Sequence, residues 1–441
     1  MASQVHLNMN VRGLEMSATV AINELSAELI RQGRTISKLG LGQSPFPVPG
    51  TVVDALRANA AQKAYLAVRG LQELRDSIAD YHQRRNGVPV SGEDVLVGPG
   101  SKELMFVLQI VFYGELVIPT PAWVSYAPQA QIVGRRVALV ECDRRDGWRL
   151  TADKFEELCQ RDPGRPRLIV LNYPSNPTGG TLTVDDLKAL AEIARKYGCL
   201  VLSDEIYGEL HHRGEHVSIA RYYPEGTILS SGLSKWCGAG GWRLGTFTFP
   251  KSLRWLLDAM ATVASETYTT TSAPIQYAAV HAFRGGMRIE RYLAFARKIL
   301  AALGGACRER LLAEGVDVLE PQGGFYLFPD FRAHAERLRA RGVKTSAQLA
   351  RRLLDEAGVA LLPGSDFGRS PDEFTLRIAY VDFDGAKALA SLEAKPPDYT
   401  IDEHFLQVHC HSVLSGVERL CAWLRGEALT EAPSAPQELR A

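Results

Sequence analysis

From residue 94 to residue 202 the chain alternates short apolar runs with longer amphipathic stretches, and no other feature restricts the fold as much. Apolar runs at 94–97, 116–118, 137–140, 168–172 and 199–202 have the length of strands. Between them, 102–112 reads as a helix capped by Ser101, and Thr183 with Asp186 opens another as a capping box that Gly198 closes. Alternation of this kind predicts an α/β fold with a mostly parallel, doubly wound sheet, its site at the C-terminal ends of the strands. The turns that follow the runs are GPGS (98–101), PTPAW (119–123), YPSNPTGG (173–180) and SDEIY (203–207). One more run, 227–229, leads into SSGLSKWCGAGGWRLG (230–245), after which a β-like run resumes at 245–249.

The flanks follow a different rhythm. Residues 1–16 read as a loose arm, and Thr19 as the cap of a helix carrying Ile22, Leu25 and Leu29 that stops at Gly33. After about residue 285 a long arginine-rich helical stretch (288–312) is followed by PQGGFYLFPD (321–330) and a helix around 349–357. Single strands are expected at 359–362 and 374–380, with the turn PGSDFG (363–368) between them. This predicts a second, smaller α+β domain. The expected division is 1–50 for the arm and part of the small domain, 51–300 for the large domain, 301–425 for the small domain and 426–441 for a disordered tail. The stretch 394–412 reads as interrupted by proline, with a last helix at 417–424.

Charge excludes two classes of partner. Lysine plus arginine number 50, as do aspartate plus glutamate, so neither nucleic acid nor a membrane surface is favoured. Seven cysteines without paired or metal-type spacing fit reduced thiols, and a soluble cytoplasmic protein is expected.

The strand-end turns carry a consistent set of groups: Gly100 and Ser101, Trp123, Asn176, Asp204, Tyr207, Lys235 and Arg243. A lysine held at a strand end and partly desolvated has a lowered pKa and can act as an amine nucleophile. Together these groups suit one ligand, an aromatic aldehyde phosphate. Lys235 would form an imine with it, and Asp204 would keep a pyridinium nitrogen protonated, which makes the ring an electron sink. Tyr207 and Asn176 would meet the ring oxygen, and Trp123 would stack on the ring face. The helix start at Gly100 and Ser101, with the guanidinium of Arg243, would take the phosphate.

NPTGG (176–180), SDEIY, SGLSKWCGAGGWRLG (231–245), PAW (121–123) and PGSDFG, in that family's order, resemble the class I aminotransferases of fold type I, which use pyridoxal 5′-phosphate. The resemblance runs from about residue 17 to residue 384. MSATVAI (16–22) and the GSK at 100–102 further resemble the prokaryotic-type aspartate aminotransferase branch. The resemblance implies a ping-pong transaminase acting on an amino acid and a 2-oxo acid. It assigns Arg377 to the substrate α-carboxylate, Gly42 to the substrate's side, Ser231 to the phosphate and Tyr65 to the phosphate of a partner subunit. That last role implies a homodimer with shared sites. Ser17, Thr19 and Lys102 match positions around the distal carboxylate of aspartate or glutamate, so an acidic donor is expected, although Lys102 could instead serve the phosphate turn. The loop GQSPF (42–46) departs from the family's GEPDF and bears on the choice of substrate.

Rival readings are another α-carbon enzyme on the same fold (a lyase, decarboxylase or cyclising enzyme) and a cofactor-sensing regulator. The regulator would need a DNA-binding module for which the short arm has no room. His211, His212 and His216, like His409, Cys410 and His411, lack a second matching half, so no metal is expected. Cys237 reads as a packed residue.

Overall fold

The computed structural model describes residues 6–427. Its strands, in chain order, are β1 (Ser37–Lys38), β2 (Val95–Gly98), β3 (Glu115–Thr120), β4 (Val137–Glu141), β5 (Arg167–Asn172), β6 (Leu200–Asp204), β7 (Thr227–Gly232) and β8 (Gly245–Thr248), then β9 (Tyr326–Leu327), β10 (Val359–Ala360), β11 (Leu362–Pro363) and β12 (Leu376–Ala379).

Seven of them form one sheet in the order β2-β8-β7-β6-β5-β3-β4. The pairs β3–β4, β3–β5, β5–β6 and β6–β7 are parallel. Only β8 runs against its neighbours, β2 and β7. Because β2 and β7 are both antiparallel to β8, they share one direction, and the C-terminal ends of β2, β3, β5, β6 and β7 meet at one edge. Strands β2, β6 and β7 are almost wholly buried, as a sheet covered by helices on both faces requires. On one face pack the helices Ser101–Val111 and Arg254–Ser265, and on the other Ala152–Gln160 and Val184–Lys196.

The remaining strands make two small sheets. β1 pairs in parallel with β10, so the chain before residue 40 joins the C-terminal part of the fold. β11, β12 and β9 form an antiparallel trio. The helix Met287–Ala313, about 40 Å long at 1.5 Å per residue, buries Leu293, Ile299, Leu300 and Leu303 in the largest core.

Several local expectations shift. The helix at Ser101–Val111 is capped by Gly100, whose φ of 98° only glycine adopts freely, and no side chain caps it. The first helix spans Ala18–Arg31 with Ser17 at its cap, so Thr19 lies in the first turn, 3.1 Å from the Ser17 hydroxyl. Residues 1–5 of the arm lie outside the described residues, and the rest is less loose than expected: Asn8 caps a short turn, Met9–Val11, and Asn10 donates to the Ile132 carbonyl at 3.2 Å. The run 359–362 divides into β10 and β11 because the chain changes partner, from β1 to β12, at Leu361. Beyond the prolines at 396 and 397, Asp402 caps a helix at Glu403–His409, and the last helix begins early, at His411–Arg425. Phe405, Leu406 and Cys410 fill the core there. Nearly all of the tail assigned to 426–441 lies outside the described residues.

Candidate active site

β6 ends at Asp204, and a turn then brings Tyr207 round to the same edge of the sheet. β7 ends at Gly232 and passes through a tight segment to Lys235. Just beyond Lys235, Gly238 has φ of 66°, and a Cβ there would stand 2.3 Å from the Phe46 carbonyl. Trp236 turns away to pack edge-on against Phe283, and burial pushes the Cys237 thiol up to about 12, as suits a packed side chain. Arg243 returns the chain in a left-handed conformation (φ 54°), donating to the Gly240 carbonyl at 3.0 Å and the Pro99 carbonyl at 3.3 Å.

These turns surround a cavity of about 350 Å³. Its walls carry Lys235, Asp204, Tyr207, Asn176, Trp123, Arg243 and Arg377, together with Gly42, Ser101, Lys102 and Thr19. Asp204 is buried; its carboxylate accepts from the Tyr126 phenol at 2.6 Å and the Ser230 hydroxyl at 3.3 Å. Burial nevertheless raises it to about 6. Lys235 keeps some area open to the cavity, but its amine lies deep and donates to the Gly42 carbonyl at 2.7 Å. Burial, aided by the positive charge of Arg377, lowers it to about 8.

Arg377 is 1% exposed, a charge that folding would not bury without use for it. One terminal nitrogen donates to Asn176 Oδ1 at 3.1 Å, the other to the Gly40 carbonyl, and Nε has no partner. No carboxylate pairs with it among the described residues. A planar fork whose hydrogen bonds go only to neutral oxygens has the chemistry to receive a carboxylate.

On the cavity wall, Lys102 sits 5.0 Å from the centre of the Trp123 ring, and burial with the charge of Arg243 lowers its pKa. The backbone N–H groups at the start of the helix Ser101–Val111 lie beside Arg243, a pairing that could hold an anion and that glycines keep tight. A Cβ on Gly100 would meet the Arg243 guanidinium at 2.2 Å, and one on Gly245 would meet the Ser101 nitrogen at 2.1 Å.

Four predicted positions do not line the cavity. Gly100 lies behind it as the helix cap, and Ser17 lies one contact away, through Thr19. Ser231 is buried within β7 opposite Thr246, and Ser234 lines the wall instead. Tyr65 stands 90% exposed on the loop between the helices Gly50–Asn59 and Gln72–Asn86.

Sequence reasoning missed Tyr126 and Tyr326. Tyr126 opens the helix Tyr126–Ile132 three residues after Trp123, its ring edge-on to that indole, a spacing that could have been noticed. Tyr326 lies on β9 opposite Ala379 of β12, two residues from Arg377 and so on the same face. Its hydroxyl is 2.8 Å from that of Tyr207. No local signal announces that register.

The histidines find other partners. His216 Nε2 lies 2.9 Å from Glu205, His212 lies between the Pro321 and Gly324 carbonyls, and His211 Nδ1 accepts from two backbone N–H groups. Among the described residues no three metal-ligating side chains converge.

Residues 34–390 match the family model described as aminotransferase class I and II. The aspartate aminotransferase of Geobacillus stearothermophilus is 34% identical over 85% of this chain and 94% of that protein. The aspartate/prephenate aminotransferase of Thermus thermophilus is 34% identical over 82% and 91%. Among solved structures, the Thermus thermophilus aspartate aminotransferase with maleate superposes with a TM-score of 0.80 at 29% identity. It covers 94% of this chain and 98% of that one.

Proposed function

The chain belongs to the class I and II aminotransferases, and on that premise we propose that it moves the amino group of glutamate or aspartate to a 2-oxo acid, using pyridoxal 5′-phosphate held on Lys235. The observation that carries this reading is the cavity's charge set: an amine lowered to about 8, a buried carboxylate and a buried guanidinium with a free Nε. The residues fit the cofactor. The cradle of Ser101, Lys102 and Arg243 suits a phosphate, Asp204 keeps an unused lone pair for a ring nitrogen, and Trp123 offers a flat face.

When bound, pyridoxal phosphate supplies an electron sink for the charge left on the substrate's α-carbon. Lys235 Nζ would hold its aldehyde carbon and, once released, carry the α-proton. An amine near 8 has a free-base fraction at neutral pH that an ordinary lysine lacks. Asp204, Tyr207 and Asn176 would orient the ring. Arg377 would grip the substrate α-carboxylate through its fork, fixing which bond at the α-carbon stands over the ring.

The donor is read from Lys102, whose amine stands over Trp123 in the cavity that Thr19 also lines, with the Ser17 hydroxyl against that of Thr19. A side-chain carboxylate entering this half-dry end needs a cation. Tyr65, exposed on one copy, is read as reaching the phosphate of a second, in a homodimer with shared sites. The seven free, buried cysteines suit a reducing compartment such as the cytoplasm, and no described helix is long and apolar enough to cross a membrane.

A panel of amino donors, each followed through both half-reactions, tests the reading. Lys102→Ala should lower kcat/KM for glutamate or aspartate by roughly tenfold or more, about 1.4 kcal/mol, while sparing neutral donors. Equal losses for both classes would assign Lys102 to the phosphate cradle instead.

A further inference from the structure

Tyr326 occupies a position that the reading above leaves without a role. Its ring lies under the guanidinium of Arg377, 4.9 Å from ring centre to Cζ. Its hydroxyl is 2.8 Å from that of Tyr207, and both phenols are buried. The Tyr326 hydroxyl is also pinned from the other side. A Cβ on Gly42 would stand 1.9 Å from it, and the Gly42 carbonyl is the one that Lys235 holds. One side chain thus touches the carboxylate clamp, the ring-facing phenol and the loop on which the amine rests.

We propose that Tyr326 is a positioning residue that couples occupancy of the Arg377 clamp to the hydrogen bond that Tyr207 offers the cofactor. This rests on the reading that Tyr207 meets the cofactor's ring oxygen. Among the described residues the two hydroxyls hydrogen-bond only to each other, so one donates and the other accepts. A cation over the Tyr326 ring withdraws charge from that phenol and makes it the better donor. Tyr326 then donates to Tyr207, and the Tyr207 proton is left free to point into the cavity. Donors in such a chain strengthen one another. A substrate carboxylate on Arg377 offsets the cation, weakens the Tyr326 donation and so weakens the bond from Tyr207 to the ring oxygen. The charged groups facing the two phenols are Arg377, Lys235 and Asp204, with Asp366 in range of Arg377.

The readout is the pH midpoint of the absorbance change of the holoenzyme's lysine-bound cofactor, measured with and without succinate, a dicarboxylate that cannot react. The imine proton is shared with the ring oxygen, so a weaker bond from Tyr207 leaves more charge on that oxygen and raises the midpoint. Tyr326→Phe keeps the ring and loses only the hydroxyl. Its midpoint without succinate should rise by roughly half a pH unit, and the rise that succinate adds should shrink by a similar amount, the scale of one neutral hydrogen bond. In a Tyr207→Phe background, Tyr326→Phe should change nothing further. A Tyr326→Phe protein with wild-type midpoints, or effects that add to those of Tyr207→Phe, would overturn the coupling. A wild-type protein with no titrating band would instead overturn the cofactor reading on which it rests.

Discussion

Asp204 and Glu205 are consecutive carboxylates at one strand end, and they live in opposite circumstances. Asp204 faces the cavity with a phenol, the Ile206 backbone N–H and a distant hydroxyl for company, and burial still lifts it to about 6. Glu205 points to the other side of the sheet. It accepts from the Ser218 hydroxyl at 2.5 Å, Ser203 at 2.8 Å, His216 at 2.9 Å and the Asn86 amide at 3.4 Å. Burial would raise it too, but the charge of His216 and these donors together hold it below the ordinary range. Strand alternation sends neighbours to opposite faces, so one dipeptide supplies both a poised group and an anchor. Equal burial therefore does not mean equal readiness; the charge of His216 and the donors beside Glu205 make the difference.

Asp204→Asn should break the comparison most visibly. It removes the carboxylate proposed to hold the ring nitrogen, and turnover should fall on the order of 10³-fold or more, about 4 kcal/mol in the barrier. Stability should move the other way. In the folded, cofactor-free chain Asp204 titrates near 6 against 3.8 unfolded, so it binds its proton more firmly when folded. Stability is then lost as pH rises between those values, and at pH 7 the ionised group costs on the order of 2–3 kcal/mol. Urea unfolding of the cofactor-free Asn variant at pH 7 should show a gain of that order, and a loss would contradict the account.

Glu205→Gln should do the reverse. An amide N–H₂ facing buried donors leaves at least one unsatisfied, a loss of about 1–3 kcal/mol of stability, while kcat of the folded fraction should stay within a few-fold of wild type. A collapse of kcat with stability unchanged would put Glu205 in the chemistry.

A smaller effect sharpens the contrast. Lys235 at about 8 lies below an ordinary lysine, so the rate at which cofactor-free protein captures pyridoxal phosphate should rise with pH around a midpoint near 8. A midpoint near 10 would mean that the amine is not desolvated.

Much of this was legible because the relevant signals are local. The capping box at Thr183 and Asp186 appears as read, with Thr183 accepting from the Asp186 N–H and Asp186 accepting from the Thr183 N–H. The strand-end turns that carry Asn176, Asp204 and Lys235 open on one cavity because parallel strands end on the same edge. What stayed hidden depends on distant pairing. Tyr326 and Arg377 share a face only through the β9–β12 register, and Ser234 rather than Ser231 reaches the wall because β7 runs on to Gly232 before it turns. The helix start at Gly100 was misread by one residue because a hydroxyl caps from sequence as plausibly as a left-handed glycine does. The interruption at 394–412 was read from its prolines, which say nothing of the helix that Asp402 starts beyond them.

The central claim is that Lys235, among all the lysines of the chain, holds the cofactor's aldehyde carbon. Borohydride reduction of the protein reconstituted with pyridoxal phosphate, followed by digestion and mass mapping, tests it directly. The account predicts one phosphopyridoxyl group, on the peptide containing Lys235, and none in Lys235→Ala. A label on another lysine, Lys102 included, or labelling that survives in Lys235→Ala, would contradict it.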